Sequence, residues 1–126
     1  NPALTAIGDF SIEAGERAVE LLLAQGQSFS AVFCSNDEMA IGAMRALLSR
    51  GFRIPEDVSI VGFDDIRYSR YTSPALTTVA QPKTALGREA MTMLIEILND
   101  PEVPPRKRVL SAELVVRGST GPRSGR

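Results

Sequence analysis

The chain has 126 residues, 44% of them hydrophobic and 23% charged, with a formal net charge of −1. That suffices for one ordinary domain with its own core, and it lacks the strongly basic balance of a free-standing DNA-binding domain. With no His and one Cys, it excludes imidazole acid–base catalysis, Cys–His nucleophiles, the usual zinc sites and internal disulfides.

The elements alternate along the chain. Ala3–Gly8 predicts a short strand or strand-like lead-in. Ser11 is placed to cap a helix from Ile12 to about Ala24, with Glu13 and Glu16 where the helix dipole favours acids and Val19, Leu22 and Leu23 as its apolar stripe. Gly26 ends it. Ala31–Cys34 predicts the next strand. Asn36 or Asp37 caps a helix running to about Arg50, with Ile41, Met44, Leu47 and Leu48 as its buried face and Gly51 as its stop.

Val58–Phe63 is a short, nearly all-apolar run, the pattern of a strand covered on both faces as in parallel sheets. Asp64 and Asp65 follow at once, at the carboxyl end of that strand, the edge at which open α/β sheets bind ligands. Ile66–Pro74 predicts a loop or short helical turn, Leu76–Ala80 a strand rich in Thr and Val, and Pro82 the start of a long helix to about Leu98, with Leu86, Ala90, Met93, Leu94 and Ile97 at helical spacing. Asn99–Pro105 is a breaker, Val109–Arg117 alternates as a final strand, and 118–126 reads as a disordered tail. The order argues an α/β fold with a mostly parallel, doubly wound sheet. The basic cluster Arg106-Lys107-Arg108 reads as a solvated strand edge.

No run approaches the ~20 apolar residues of a membrane span. Neither G-x-x-x-x-G-K nor G-x-G-x-x-G occurs. The Asp64–Asp65 pair superficially suits Mg²⁺ and phosphoryl chemistry, and Lys83 could serve as a receiver-type lysine. No strand ends in the lone Asp that such a site also needs, so an enzyme is not expected, and neither a cofactor nor a metal is.

Three stretches carry a resemblance: Ser35-Asn-Asp-Glu-Met-Ala-Ile-Gly-Ala-Met-Arg45, Ile54-Pro-Glu-Asp-Val-Ser-Ile-Val-Gly-Phe-Asp-Asp65 and Pro74-Ala-Leu-Thr-Thr-Val-Ala-Gln-Pro82. In order and spacing they resemble the lactose-repressor (LacI/GalR) family of bacterial transcription regulators. Gly8-Asp-Phe10, Glu13-Ala-Gly15, Arg88-Glu-Ala-Met91 and Arg117-Gly-Ser-Thr120 are especially similar to the cytidine-sensing branch of that family. The resemblance implies a periplasmic-binding-protein-like fold and the carboxyl-terminal lobe of a two-lobed effector domain. It divides the chain into 1–81, part of the effector-binding lobe; 82–117, a helix that crosses to the amino-terminal lobe and a strand that returns; and the tail 118–126. It further implies that the helix-turn-helix headpiece, the hinge helix, most of the first lobe and the first strand and helix of the second precede Asn1.

The same resemblance assigns ligand contacts. Phe10 corresponds to an aromatic residue that stacks on the effector, Asn36 to a polar residue that contacts effector hydroxyls, Asp64 to a hydrogen-bond acceptor and Gln81 to a residue at the crossover between lobes. Such groups suit a nucleoside such as cytidine, or a sugar. Residue type alone leaves other readings open. Phe10 suits a core, Asn36 and Asp37 suit helix caps, Asp64 suits a cap of the turn after its strand, and Gln81 suits a backbone partner. Asp65 reads as a structural or rim residue, and Cys34 as a small buried one.

The expected function is the effector-sensing and dimerising part of a cytoplasmic repressor that reaches operator DNA only through its headpiece, the alternative being a periplasmic sugar-binding protein of a transport system. The resemblance draws the homodimer interface from parts of Ile12–Ala24, Met39–Leu48 and Ile66–Thr72, with Tyr68 and Tyr71 as candidate contacts. Without its usual partner lobe, the helix Lys83–Leu98 is expected to swap with a second chain, repack or stay mobile.

Overall fold

The computed structural model describes residues 4–26 and 28–122. Its elements are α1 (Ile12–Ala24), β1 (Ala31–Phe33), α2 (Asp37–Ser49), β2 (Ser59–Phe63), a 3-10 turn (Arg67–Arg70), β3 (Thr77–Ala80), α3 (Lys83–Asn99) and β4 (Glu113–Val115). The sheet order is β1-β2-β3-β4, and β1 with β2 and β2 with β3 are parallel. The register sets Ala31 beside Ser59 and Val61 beside Thr77.

The helices start where side chains satisfy the unpaired N–H groups of a first turn. Ser11 Oγ accepts the Ala14 N–H at 3.1 Å, and Asn36 Oδ1 accepts the Met39 N–H at 2.9 Å. Gly26 (φ 68) and Gly51 (φ 82) follow the ends of α1 and α2 in the left-handed conformation that stops a helix.

α1 and α2 pack with backbone against backbone. A Cβ on Gly15 would lie 2.1 Å from the Met39 carbonyl oxygen, and one on Gly42 would lie 1.9 Å from that of Ile12. Ion pairs Arg45–Glu16 (2.9 Å) and Arg50–Glu20 span the same two helices. The core between helices and sheet holds Val19, Met39, Ala43, Met44, Leu47, Val58, Ile60 and Leu76. On α2 the expected Met44 and Leu47 are buried, whereas Ile41 is partly buried and Leu48 is exposed. The small residues Ala40, Ala43 and Ala46 turn the buried face away from those two positions.

The chain divides into two compact units, Asn1–Ala80 with Leu114–Arg126, and Gln81–Glu113. In the second, α3 buries none of its residues, and Leu86, Met91, Leu94, Ile95, Ile97 and Leu98 are all exposed. The basic cluster is not a strand edge. Arg106 pairs with Glu96 (3.1 Å) and Arg108 with Glu89 (3.7 Å), both acids of α3.

Three expectations are corrected. Leu4–Gly8 forms no strand, because a strand exists only as part of a ladder and this stretch is outside the four-stranded sheet; Ala3 lies outside the described residues. The final strand is limited to Glu113–Val115 rather than Val109–Arg117. The tail is ordered at its start. Ser119 is fully buried, its N–H bonds the Ala75 carbonyl, and its Oγ donates to the Ile60 carbonyl at 2.6 Å and accepts the Thr77 N–H at 2.8 Å. The rest of the predicted tail, 123–126, lies outside the described residues.

Candidate functional site

Among the described residues, three that are not glycine have positive φ: Phe10 (68°), Asp64 (109°) and Asp65 (47°). Side chains disfavour that region, so the surrounding structure must hold each residue there, and such strain concentrates at functional sites. Asp64 and Asp65 directly follow the carboxyl end of β2, and Phe10 is tied through its carbonyl to Asn36, just past the carboxyl end of β1.

Phe10 is fixed from both sides. Asp9 Oδ1 accepts the Ser11 N–H at 3.1 Å and the Ser11 Oγ–H at 2.5 Å, closing a tight turn over it. The Ser11 hydroxyl, then its N–H, then Arg17 hold the Asp9 carboxyl below the usual carboxylate range. The Phe10 carbonyl accepts the Asn36 Nδ2–H at 2.8 Å. The ring is 61% exposed, so it is not a core residue. Asn36 thus does two structural jobs: its oxygen caps α2 and its amide nitrogen ties α2 to the Phe10 turn.

Asp37, which by residue type suits a helix cap, does something else, since Asn36 caps α2. It is fully buried, and its carboxylate accepts three hydrogen bonds. Oδ2 takes the Ile66 N–H (2.8 Å) and the Ser69 Oγ–H (2.5 Å); Oδ1 takes the Thr78 Oγ–H (2.5 Å). A Cβ on Gly62 would come within 2.2 Å of Oδ1, so β2 needs glycine there for the carboxylate to enter. The sequence signal was available: an apolar–Gly–aromatic break in a strand marks close approach by another group.

Asp37 thereby organises the turn after β2. Three successive N–H groups are held: Asp64 by the Val79 carbonyl (2.8 Å), Asp65 by Thr78 Oγ1 (3.3 Å) and Ile66 by Asp37. The Asp65 carboxylate accepts from Arg117 Nη2 at 2.6 Å, and Arg117 Nη1 donates to the Leu76 carbonyl at 2.9 Å. Asp65 is therefore a structural anchor. Tyr68 and Tyr71, on and just after the 3-10 turn, are 69% and 70% exposed.

A path of hydrogen bonds and chain thus links Phe10 to Asn36, and the adjacent Asp37 to Ile66, two residues beyond Asp64. Gln81 opens the second unit and is described with it. The site offers an exposed aromatic ring, a carboxylate and an amide, a set that holds a polar ring bearing hydroxyl or amino groups. Among the described residues, no group of three or more His, Cys, Asp or Glu could hold a metal.

A recess of about 330 Å³ lies elsewhere, between Leu4–Ala6, α1 and β1, lined by residues such as Val19, Leu22, Val32 and Phe33. It has no carboxylate or amide side chain and includes none of the four expected contacts. Cys34 borders it, and burial first, then the Asp37 charge, push its thiol up to about 12. Among the described residues, no helix is long and apolar enough to cross a membrane.

Residues 1–120 match the family described as periplasmic binding protein-like domain. Among curated proteins, the HTH-type transcriptional repressor CytR of Escherichia coli (strain K12) is 43% identical over 120 residues, covering 95% of this chain and 35% of that protein. Among solved structures, the transcriptional regulator CelR–cellobiose complex superposes with a TM-score of 0.90 at 35% identity, covering 94% of this chain and 36% of that one. A LacI family transcriptional regulator from Enterococcus faecium with bound ribose gives a TM-score of 0.81 at 36% identity, covering 93% and 43%. The chain spans about a third of the length of the curated relatives it matches, and those relatives are transcriptional repressors, not enzymes. By sequence and by fold, the chain belongs to the periplasmic binding protein-like domain family, in the form found in lactose-repressor-type regulators.

Proposed function

We propose that this chain is the effector-sensing and dimerising part of a cytoplasmic, DNA-binding repressor. In this reading Phe10 stacks on the ring of a small polar ligand, Asp64 and Asn36 bond its hydroxyl or amino groups, and Gln81 contributes where the chain crosses to a second lobe. The single observation that carries it is the positive φ of Phe10 and Asp64, the first tied to Asn36 just past β1 and the second directly after β2, at the carboxyl ends of parallel strands. The relatives support it: one regulator is in complex with cellobiose and another holds ribose. The resemblance of Gly8-Asp-Phe10, Glu13-Ala-Gly15 and Arg117-Gly-Ser-Thr120 to the cytidine-sensing branch makes a nucleoside, cytidine first, the leading ligand class in this reading.

In this reading, 1–81 is lobe, 82–117 crosses to a second lobe and returns, and the exposed α3 face packs there. The outer faces of α1 and α2 and the turn bearing Tyr68 and Tyr71 form the homodimer surface. Ligand binding favours one arrangement of the lobes, and that bias reaches the operator-binding headpiece. Calorimetric titration of the full-length protein with cytidine, uridine, adenosine, ribose and a galactoside tests this. Selective cytidine binding supports the reading, sugar binding replaces the ligand class, and a folded protein that binds none of the five refutes it.

A further inference from the structure

The fully buried Asp37 carboxylate is needed neither to cap α2, which Asn36 does, nor to contact ligand, from which it is sealed. All three of its bonds go to the turn after β2 or to the strand beside it. Thr78 is the informative partner. Its hydroxyl hydrogen is committed to Asp37 Oδ1, which leaves its lone pairs to accept the Asp65 N–H. The carboxylate thus acts on Ile66 directly and on Asp65 through Thr78. The same Oδ2 that holds Ile66 also holds Ser69, whose carbonyl accepts the Leu76 N–H at 2.7 Å and the Thr72 hydroxyl at 3.1 Å. Within the segment from Asp64 to Thr72, Ile66 and Ser69 are therefore fastened to one carboxylate at the start of α2.

We propose that Asp37 is a positioning residue that holds the Asp64–Asp65 turn in its left-handed conformation and joins it mechanically to the Tyr68–Tyr71 surface. This rests on the ligand-site reading for its functional meaning, though not for its structural content. An event that moves the Asp64 backbone is transmitted through Ile66, Asp37 and Ser69 to the exposed tyrosines, because Asp37 and Ser69 are fully buried and one Asp37 oxygen bonds both Ile66 and Ser69. Reciprocally, a partner packed on Tyr68 and Tyr71 biases the geometry of Asp64.

The test compares Thr78→Ser, which keeps the hydroxyl, with Thr78→Val, which keeps the shape and removes it, and with Asp37→Asn, all in the full-length protein. Amide hydrogen exchange is read without ligand at Asp65, Ile66 and Ser69 and, as a reference, at core amides of α2. Thr78→Val and Asp37→Asn are expected to speed exchange at the turn about tenfold with the α2 core unchanged, and Thr78→Ser to stay within about twofold of the parent. Affinity for whichever of the five compounds the parent binds should fall in the same order. Equal effects from Thr78→Ser and Thr78→Val, or unchanged exchange at the turn in both Thr78→Val and Asp37→Asn, overturn the proposal. A parent that binds none of the five compounds refutes the ligand reading, and the exchange result still decides whether Asp37 positions the turn.

Discussion

Gly42→Ala offers a sharp test of the helix pair that brings Phe10 to Asn36. In an exposed helix this change stabilises by about 1 kcal/mol, because alanine restricts the unfolded chain and favours helix. Here the added methyl would sit 1.9 Å from the Ile12 carbonyl oxygen, 2.9 Å from its carbon and 3.0 Å from the Glu16 nitrogen. All three are helix backbone, so no side chain can swing aside and the helices must part by about 1 Å. A gap of that size forfeits a quarter to a half of the dispersion attraction across the interface, and such overpacking costs about 3 kcal/mol. The net loss is about 2 kcal/mol, roughly thirtyfold in the folding equilibrium. It should also open the Asn36–Phe10 bond, weakening any ligand that needs the Phe10 ring. Urea unfolding reads the first effect, with Gly87→Ala as control. Gly87 lies in α3 with open space about it, and its change should stabilise by about 0.5–1 kcal/mol. A Gly42→Ala protein as stable as the parent, or stabilised like Gly87→Ala, would refute the close-packed helix pair.

Other consequences follow from burial and pairing. Leu47 has no exposed surface, so Leu47→Ala should cost about 3 kcal/mol in urea unfolding. Arg117→Ala leaves the mostly buried Asp65 carboxylate and the Leu76 carbonyl without their guanidinium, and should cost about 2 kcal/mol, far more than Arg17→Ala at the exposed Asp9 pair. Cys34 should resist disulfide reagents at pH 8 in the folded protein and react only on unfolding. Its raised folded pKa keeps its stability contribution whole below the unfolded value near 9 and removes it progressively as pH rises toward about 12. A Cys34→Ser variant should therefore show a shallower loss of stability across that alkaline range.

Sequence legibility followed the locality of the signals. α1 and α2 were readable almost to the residue because Ser11, Asn36, Gly26 and Gly51 mark their ends through bonds and backbone conformations that involve near neighbours. β2 and β3 were readable because β-branched apolar runs rarely fit elsewhere. Leu4–Gly8 and Val109–Arg117 misled because a strand's existence depends on a neighbour that local pattern does not contain. The order at Ser119 was hidden for the same reason, since its partners Ile60, Ala75 and Thr77 lie over 40 residues away. At the site, the exposure of Phe10 and the positive φ of Asp64 have no local sequence signal, and neither has the role of Asp37. Its partners are 29, 32 and 41 residues distant, and an acid after Asn36 at a helix start has an adequate local explanation.

The central claim is that Phe10 and Asp64 hold one small polar ligand. The direct measurement is the dissociation constant of Phe10→Ala and Asp64→Asn, in the full-length protein, for the ligand that the parent selects from the five-compound panel, with Asp65→Asn alongside. The account predicts a weakening of about 10-fold to 100-fold for Asp64→Asn, the value of one charge-assisted hydrogen bond, and a comparable loss for Phe10→Ala. Parent-like affinity in both variants would contradict it.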